Sequence, residues 1–179
     1  MKTTQILIAG FGGQGVLFAG KFLAYKGLLE DLQVSWLPSY GPEMRGGTAN
    51  CSVILSDDPV GSPIITEPDV LIAMNLPSLQ KYVNSVVPGG QIYLDSTLIA
   101  EKVDRTDVDV FYIPATQMAK DEGVTTLANM IIVGCLLENN PELSFEGAAE
   151  TVQKLVPAKK AALVELNLKA LELGKTYRA

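Results

Sequence analysis

A short apolar run that ends in glycines and passes directly into a helical pattern constrains this chain more than any other feature. Gln5-Ile-Leu-Ile-Ala-Gly10 leads into Phe11-Gly-Gly-Gln-Gly15, and Val16-Leu-Phe-Ala-Gly-Lys-Phe-Leu-Ala-Tyr-Lys-Gly27 follows with apolar residues at helical spacing. The pattern is strand, tight turn, helix, with Gly10, Gly12 and Gly15 in the G-x-G-x-x-G register. Gly10 permits the turn, Gly12 lets backbone approach a ligand, and Gly15 lets the helix lie close to the strand. Gly13 and Gln14 add a further glycine and a side-chain amide at the mouth of the turn. The unpaired N–H groups of a helix start, with its dipole, favour an anion such as phosphate. A glycine turn that only packs a helix on a parallel strand satisfies the same pattern, so both readings stand at this point.

The rest of the chain repeats the alternation. Residues 34–37 read as a second strand and residues 38–50 as an irregular loop rich in glycine and proline. Strands follow at 51–56, 69–75, 91–95 and 108–113, with a helix from Leu76-Pro77 to about Val87. From Thr116 the pattern turns helical, at 117–120, at 125–139, after Ser144 as N-cap to Leu155, and at 158–173. The last of these carries apolar residues around much of its circumference, as for a helix packed on the body or on a partner. The expected fold is α/β, a Rossmann-like, doubly wound, mostly parallel sheet with a helical C-terminal segment. One domain over 1–179 is expected, its α/β body about 1–116 and its helical part about 117–179.

Composition removes several functions. The chain has no histidine, which takes away the commonest acid–base group and the commonest zinc ligand. Its two cysteines, Cys51 and Cys135, lie in apolar surroundings and are too few for a four-cysteine cluster or a cysteine-rich zinc site. They read as buried free thiols of a reducing compartment. With 47% apolar residues, a net charge of −6 and no basic run, the chain reads as globular and not as a nucleic-acid binder. No apolar run approaches the roughly 18 residues of a membrane span, and the first strand is too short for a signal peptide. The expectation is a cytoplasmic protein with no membrane partner, no catalytic residue of its own and no metal site.

A dinucleotide site needs an acid at the far end of the second strand. Glu30-Asp31 lies about 20 residues beyond the glycines but precedes that strand, and its far end reads Pro38-Ser39-Tyr40. An NAD-type dehydrogenase is therefore disfavoured, though a dinucleotide-binding oxidoreductase remains the rival enzyme reading. Three polar tips are expected on the carboxyl rim of the sheet: the glycine turn, the loop from Ser39 to Asn50, and Asp95-Ser96-Thr97. Arg45, between glycines on one side and Met44 on the other, is the only cation of the middle loop. It either presents its planar fork to a phosphate or carboxylate, or pairs with Glu43 and braces the loop. Tyr40 either stacks on a flat ligand or wedges the loop.

Gly10-x-Gly-Gly-Gln-Gly15, the run Pro38-Ser-Tyr-Gly-Pro-Glu-Met-Arg-Gly-Gly-Thr-Ala-Asn-Cys51, Ser56-Asp-Asp-Pro59 and Pro68-Asp-Val70 together resemble the gamma subunit of the 2-oxoacid:ferredoxin (flavodoxin) oxidoreductases. Met44 and Thr48-Ala-Asn50 look most like the 2-oxoglutarate type; pyruvate, branched-chain and indolepyruvate types share the overall pattern. The resemblance implies a multi-subunit enzyme that decarboxylates a 2-oxoacid on thiamine diphosphate and magnesium. Electrons pass through iron–sulfur clusters to ferredoxin or flavodoxin, and the acyl group goes to coenzyme A. It implies alpha and beta thiamine-binding partners and a ferredoxin-like delta partner, with no cofactor held by this chain alone. Its implied part is to help close the coenzyme A site, carried by Gly10, Gly12, Gly13, Gln14, Gly15 and Arg45, with Thr48 and Asn50 as further candidates. A scaffold with an empty glycine turn is the non-enzymatic alternative.

Overall fold

The computed structural model describes residues 3–40 and 48–178. Its centre is a six-stranded sheet of order β2-β3-β1-β4-β5-β6, built from β1 (Thr3–Phe11), β2 (Gln33–Tyr40), β3 (Thr48–Ser56), β4 (Val70–Ala73), β5 (Gln91–Asp95) and β6 (Asp109–Ile113). The pairs β1·β4, β4·β5 and β5·β6 are parallel, whereas β3 runs antiparallel to both β1 and β2. Every strand but β3 thus points the same way. The doubly wound, mostly parallel expectation holds, with one antiparallel strand inserted beside β1.

That insertion explains the largest departure in the elements. Residues 38–40 and 48–50 were expected to be irregular, but they extend β2 and β3, pairing Pro38 with Cys51, Ser39 with Asn50 and Tyr40 with Ala49. Cross-strand pairing outweighs the weak local preference of glycine- and proline-rich sequence for irregular backbone. Of the expected loop, residues 41–47, which connect these strands, lie outside the described residues, and Arg45 is among them.

Helices cover both faces. The helix α1 (Val16–Leu29) lies over β1, β2 and β3, and its buried side chains Val16, Ala19, Phe22 and Leu23 meet Ile6, Ile8, Cys51, Val53 and Leu55. On the opposite face the short α2 (Leu76–Tyr82) covers Leu7, Leu71 and Ala73. The chain then adds α3 (Ala115–Asp121), α4 (Ala128–Asn139), α5 (Ala148–Leu155) and α6 (Ala161–Thr176). Every residue of α4 from Asn129 to Leu137 is buried, because the helix is enclosed between the sheet and α6. The last helix was expected to be apolar around much of its circumference and to pack on the body or on a partner. The helix α6 does pack on the body, and it buries one stripe, Asn167, Ala170, Leu171 and Gly174, at spacings that line up on a single face against α4.

The start of α5 is also corrected. Ser144 does not cap it: Gly147, at φ 74°, holds the N-cap position, and the Ser144 hydroxyl accepts from Glu146 N at 2.9 Å in a separate turn. Leu76-Pro77 does open α2, but regular helix ends at Tyr82 and a single 3-10 turn, Val83–Ser85, follows. Among the described residues no helix is long and apolar enough to cross a membrane.

Candidate functional site

The glycine turn is formed by Phe11 to Gly15, between β1 and α1. Gly13 (φ 96°) and Gly15 (φ 74°) occupy the left-handed region that a side chain disfavours. Gly10 is needed for space: a Cβ there would lie 2.7 Å from Gln14 Oε1 and 2.8 Å from Met74 Cβ. At Gly15 a Cβ would meet the Asn129 amide at 2.5 Å, and Asn129 Nδ2 donates to Gly15 O at 3.0 Å, tying the start of α4 to the start of α1. Gly12 and Gly13 are exposed, and open space surrounds Gly13. The turn therefore exposes Gly12 and Gly13, while Gln14 N donates to Phe11 O at 3.2 Å, at the positive end of a helix of 14 residues, where oxyanions are favoured.

Gln14 was expected to place a side-chain amide at the mouth of the turn, and that amide is engaged within the protein. Oε1 accepts from Phe11 N at 2.6 Å and from Asn75 Nδ2 at 3.3 Å, and Nε2 donates to Met74 O at 2.9 Å.

The second tip reaches the same rim by an unexpected route. Because β3 is antiparallel, its first residues stand beside the end of β1, with Thr48 opposite Phe11, Ala49 opposite Gly10 and Asn50 opposite Ala9. Strand alternation places Thr48 and Asn50 on the face away from α1, since Cys51, Val53 and Leu55 pack under that helix. Thr48 is exposed and Asn50 half-buried. The glycine turn and these two residues share a rim but open toward opposite faces of it. The proposed contact of Arg45, and its pairing with Glu43, fall outside the described residues.

The third tip is structural. Asp95 is fully buried, and its carboxylate accepts from Thr97 N at 3.1 Å, from Thr116 N at 3.2 Å and from Thr116 Oγ1 at 2.5 Å, joining the end of β5 to the first turn of α3. A carboxylate supplied with this many donors stays buried without a ligand.

Beside the glycine turn, on the face of α4, lies a cavity of about 130 Å³ lined by Gly13, Gln14, Met74, Thr116, Thr125 and Thr126. The three threonines were not singled out from the sequence. Their signal was position alone: Thr116 follows a strand at the carboxyl rim, and Thr125-Thr126 immediately precedes a helix. Three threonines and a glutamine are the polar residues of this lining, which holds no carboxylate, amine or thiol.

The two thiols are core residues. Burial pushes Cys51 up to about 12, against a weaker opposing bond with Trp36, and pushes Cys135 up to about 11, against one with Asn139. A thiol whose pKa is raised in the fold keeps its full stabilising effect below the unfolded value near 9 and loses it as pH climbs through the folded value. Stability is thus expected to decline from about pH 9 toward pH 11–12. A maleimide or aromatic disulfide reagent at pH 8 is expected to leave both thiols unlabelled until denaturant is added; rapid labelling of the folded protein would contradict their burial. Thiols held this way, with no third or fourth cysteine in the chain, do not fit an iron–sulfur cluster.

Residues 5–177 match the family model described as pyruvate ferredoxin/flavodoxin oxidoreductase. The chain belongs to this family. Within the family it is 38% identical to the ketoisovalerate oxidoreductase subunit VorA of Methanothermobacter thermautotrophicus, over 97% of this chain but 36% of that protein. It is 35% identical to the 2-oxoglutarate synthase subunit KorC of Methanothermobacter marburgensis, over 96% of this chain and 94% of that one. The chain therefore spans little more than a third of the first relative and nearly all of the second. Among solved structures, the gamma subunit of a keto/oxoacid ferredoxin oxidoreductase from Geobacter sulfurreducens superposes with a TM-score of 0.84 at 31% identity, covering 97% of this chain and 95% of that one. The 2-oxoglutarate:ferredoxin oxidoreductase of Magnetococcus marinus, solved with 2-oxoglutarate, coenzyme A and succinyl-CoA bound, gives 0.87 at 26% identity. There the match covers 98% of this chain and 31% of that chain. The gamma-subunit resemblance read from the sequence is thereby borne out.

Proposed function

We propose that this chain is the gamma subunit of a multi-subunit 2-oxoacid:ferredoxin oxidoreductase, a single domain that supports oxidative decarboxylation by helping to hold coenzyme A. The observation that carries this reading is the amide-rich turn at the start of α1, open to solvent at Gly12 and Gly13 and backed by a small hydroxyl-lined cavity. A coenzyme A phosphate suits such a turn, because the helix dipole and free N–H groups stabilise negative charge without a protein cation. Arg45 is proposed to contribute from the neighbouring hairpin, and Thr48 and Asn50, which open on the other face of the rim, are proposed to meet only a part of coenzyme A that crosses it.

The catalytic centre belongs elsewhere in the complex. Thiamine diphosphate, magnesium and the iron–sulfur clusters are assigned to alpha, beta and ferredoxin-like delta partners, with ferredoxin or flavodoxin as acceptor. Two buried cysteines are too few for a cluster, and this reading gives the chain no catalysis of its own outside the complex. A cytoplasmic location accords with such partners. The preferred 2-oxoacid is 2-oxoglutarate, supported by the KorC relative that matches over nearly its whole length. The branched-chain alternative has support of its own in the higher identity to VorA.

Hydrogen exchange on the assembled complex tests the coenzyme A reading. Coenzyme A is expected to slow exchange of the Gly12–Phe18 amides, and free 2-oxoacid to leave them unchanged. Full exchange of these amides at saturating coenzyme A would show the turn to be a packing device.

A further inference from the structure

In open α/β sheets the ligand crevice opens where successive connections leave in opposite directions. Here that point lies between the carboxyl ends of β1 and β4: α1 leads from β1 toward β2, while β4 continues toward β5 and β6 on the other side. The Gln14 side chain lies across it. Its Oε1 holds Phe11 N at 2.6 Å within the turn, and its Nε2 holds Met74 O at 2.9 Å, just beyond the end of β4. Asn75 Nδ2 adds a third bond to Oε1 at 3.3 Å, and Asn75 Oδ1 accepts from Ser78 N at 2.9 Å as the cap of α2. Gly10 leaves room for this arrangement, since a Cβ there would strike both Gln14 Oε1 and Met74.

We infer that Gln14 is a positioning residue that closes the switch-point crevice and fixes the glycine turn with its remaining amides facing outward. This inference rests on the coenzyme A reading of the turn and specifies how a ligand meets it. The ligand is held from outside, by its phosphate against the exposed turn, and does not settle into the crevice over the carboxyl ends of β1 and β4 as a dinucleotide would. Preorganisation of this kind lowers the ordering cost of binding and leaves the chemical step untouched.

The test uses the assembled complex carrying Gln14→Met, which keeps the length of the side chain and removes all three bonds. Exchange of the Phe11 amide without ligand is expected to quicken at least tenfold, because Gln14 Oε1 is its acceptor. The KM for coenzyme A is expected to rise about tenfold, with kcat and the KM for the 2-oxoacid within twofold of the parent. Gln14→Glu keeps the acceptor for Phe11 and Asn75 but cannot donate to Met74 O. It is expected to preserve slow exchange at Phe11 better than Gln14→Met does. Unchanged Phe11 exchange in Gln14→Met would overturn the positioning role. So would an equal loss of kcat and of affinity for both substrates, which marks a general structural defect. Faster Phe11 exchange with an unaltered coenzyme A KM would also overturn it. If coenzyme A gives no amide protection in the unmutated complex, the ligand assignment of the turn fails instead, and Phe11 exchange still reports whether Gln14 fixes it.

Discussion

Gly174→Ala is expected to lower the melting temperature of the protein by roughly 10 °C, from a destabilisation of about 3 kcal/mol. The cause is the closeness of α4 and α6. A Cβ on Gly174 would lie 1.8 Å from Ile131 O and 2.8 Å from Cys135 N. Both are backbone atoms of α4, so no side chain can swing aside to admit it. The contact is reciprocal: a Cβ on Gly134 would meet Leu171 O at 2.0 Å. Relief requires the helices to separate along their length, which uncovers Met130, Ile131, Cys135 and Leu171, all now buried. Helix propensity acts the other way, since alanine is favoured over glycine by about 1 kcal/mol, and the steric cost exceeds it. Gly61→Ala is the control, because nothing lies within 4 Å of the added methyl, and it is expected to leave stability within about 0.5 kcal/mol. Thermal unfolding followed by circular dichroism separates the two; equal melting temperatures for both variants would mean that the two helices do not meet at these glycines.

The sequence made the strand–turn–helix at residues 5–27 and the order of the later strands readable, because their patterning is local. An apolar run of β length followed by apolar residues at helical spacing has few other solutions. The reversed direction of β3 was not readable. Its residues fit a buried strand in either sense, and its direction is set by pairing with β1 and β2 rather than by any residue in it. The same limitation applies to Gln14. Its place in the turn was evident, but whether its amide faced a ligand or Met74 O depended on β4, which arrives some sixty residues later in the chain. Asp95 shows the converse: it lies at the carboxyl rim where a polar tip was expected, and Thr116 donates to its carboxylate. Backbone glycines disclose a tight turn well because their requirement is steric and local, whereas the role of a polar side chain is legible only when its partners are known.

The chemistry assigned to the turn makes one substitution especially informative. Gly13→Asp in the assembled complex is expected to raise the KM for coenzyme A about 100-fold. Nothing lies within 4 Å of a Cβ at this position, so the side chain can be accommodated sterically. The φ of 96° imposes a backbone strain of roughly 1–2 kcal/mol on any residue with a side chain. Gly13→Asn carries nearly the same shape and strain without the charge, which isolates the electrostatic part. A carboxylate roughly 5 Å from a phosphate costs about 3 kcal/mol at an effective dielectric near 20, or about 100-fold in affinity. Repulsion between partly exposed charges is screened by salt, so the gap between the two variants is expected to narrow as ionic strength rises. The KM for the 2-oxoacid should be alike in both, because thiamine-dependent decarboxylation is assigned to partner subunits. Matching coenzyme A affinities for Gly13→Asp and Gly13→Asn at low salt would place the phosphates away from this turn and leave Gly13 serving only the path of the backbone.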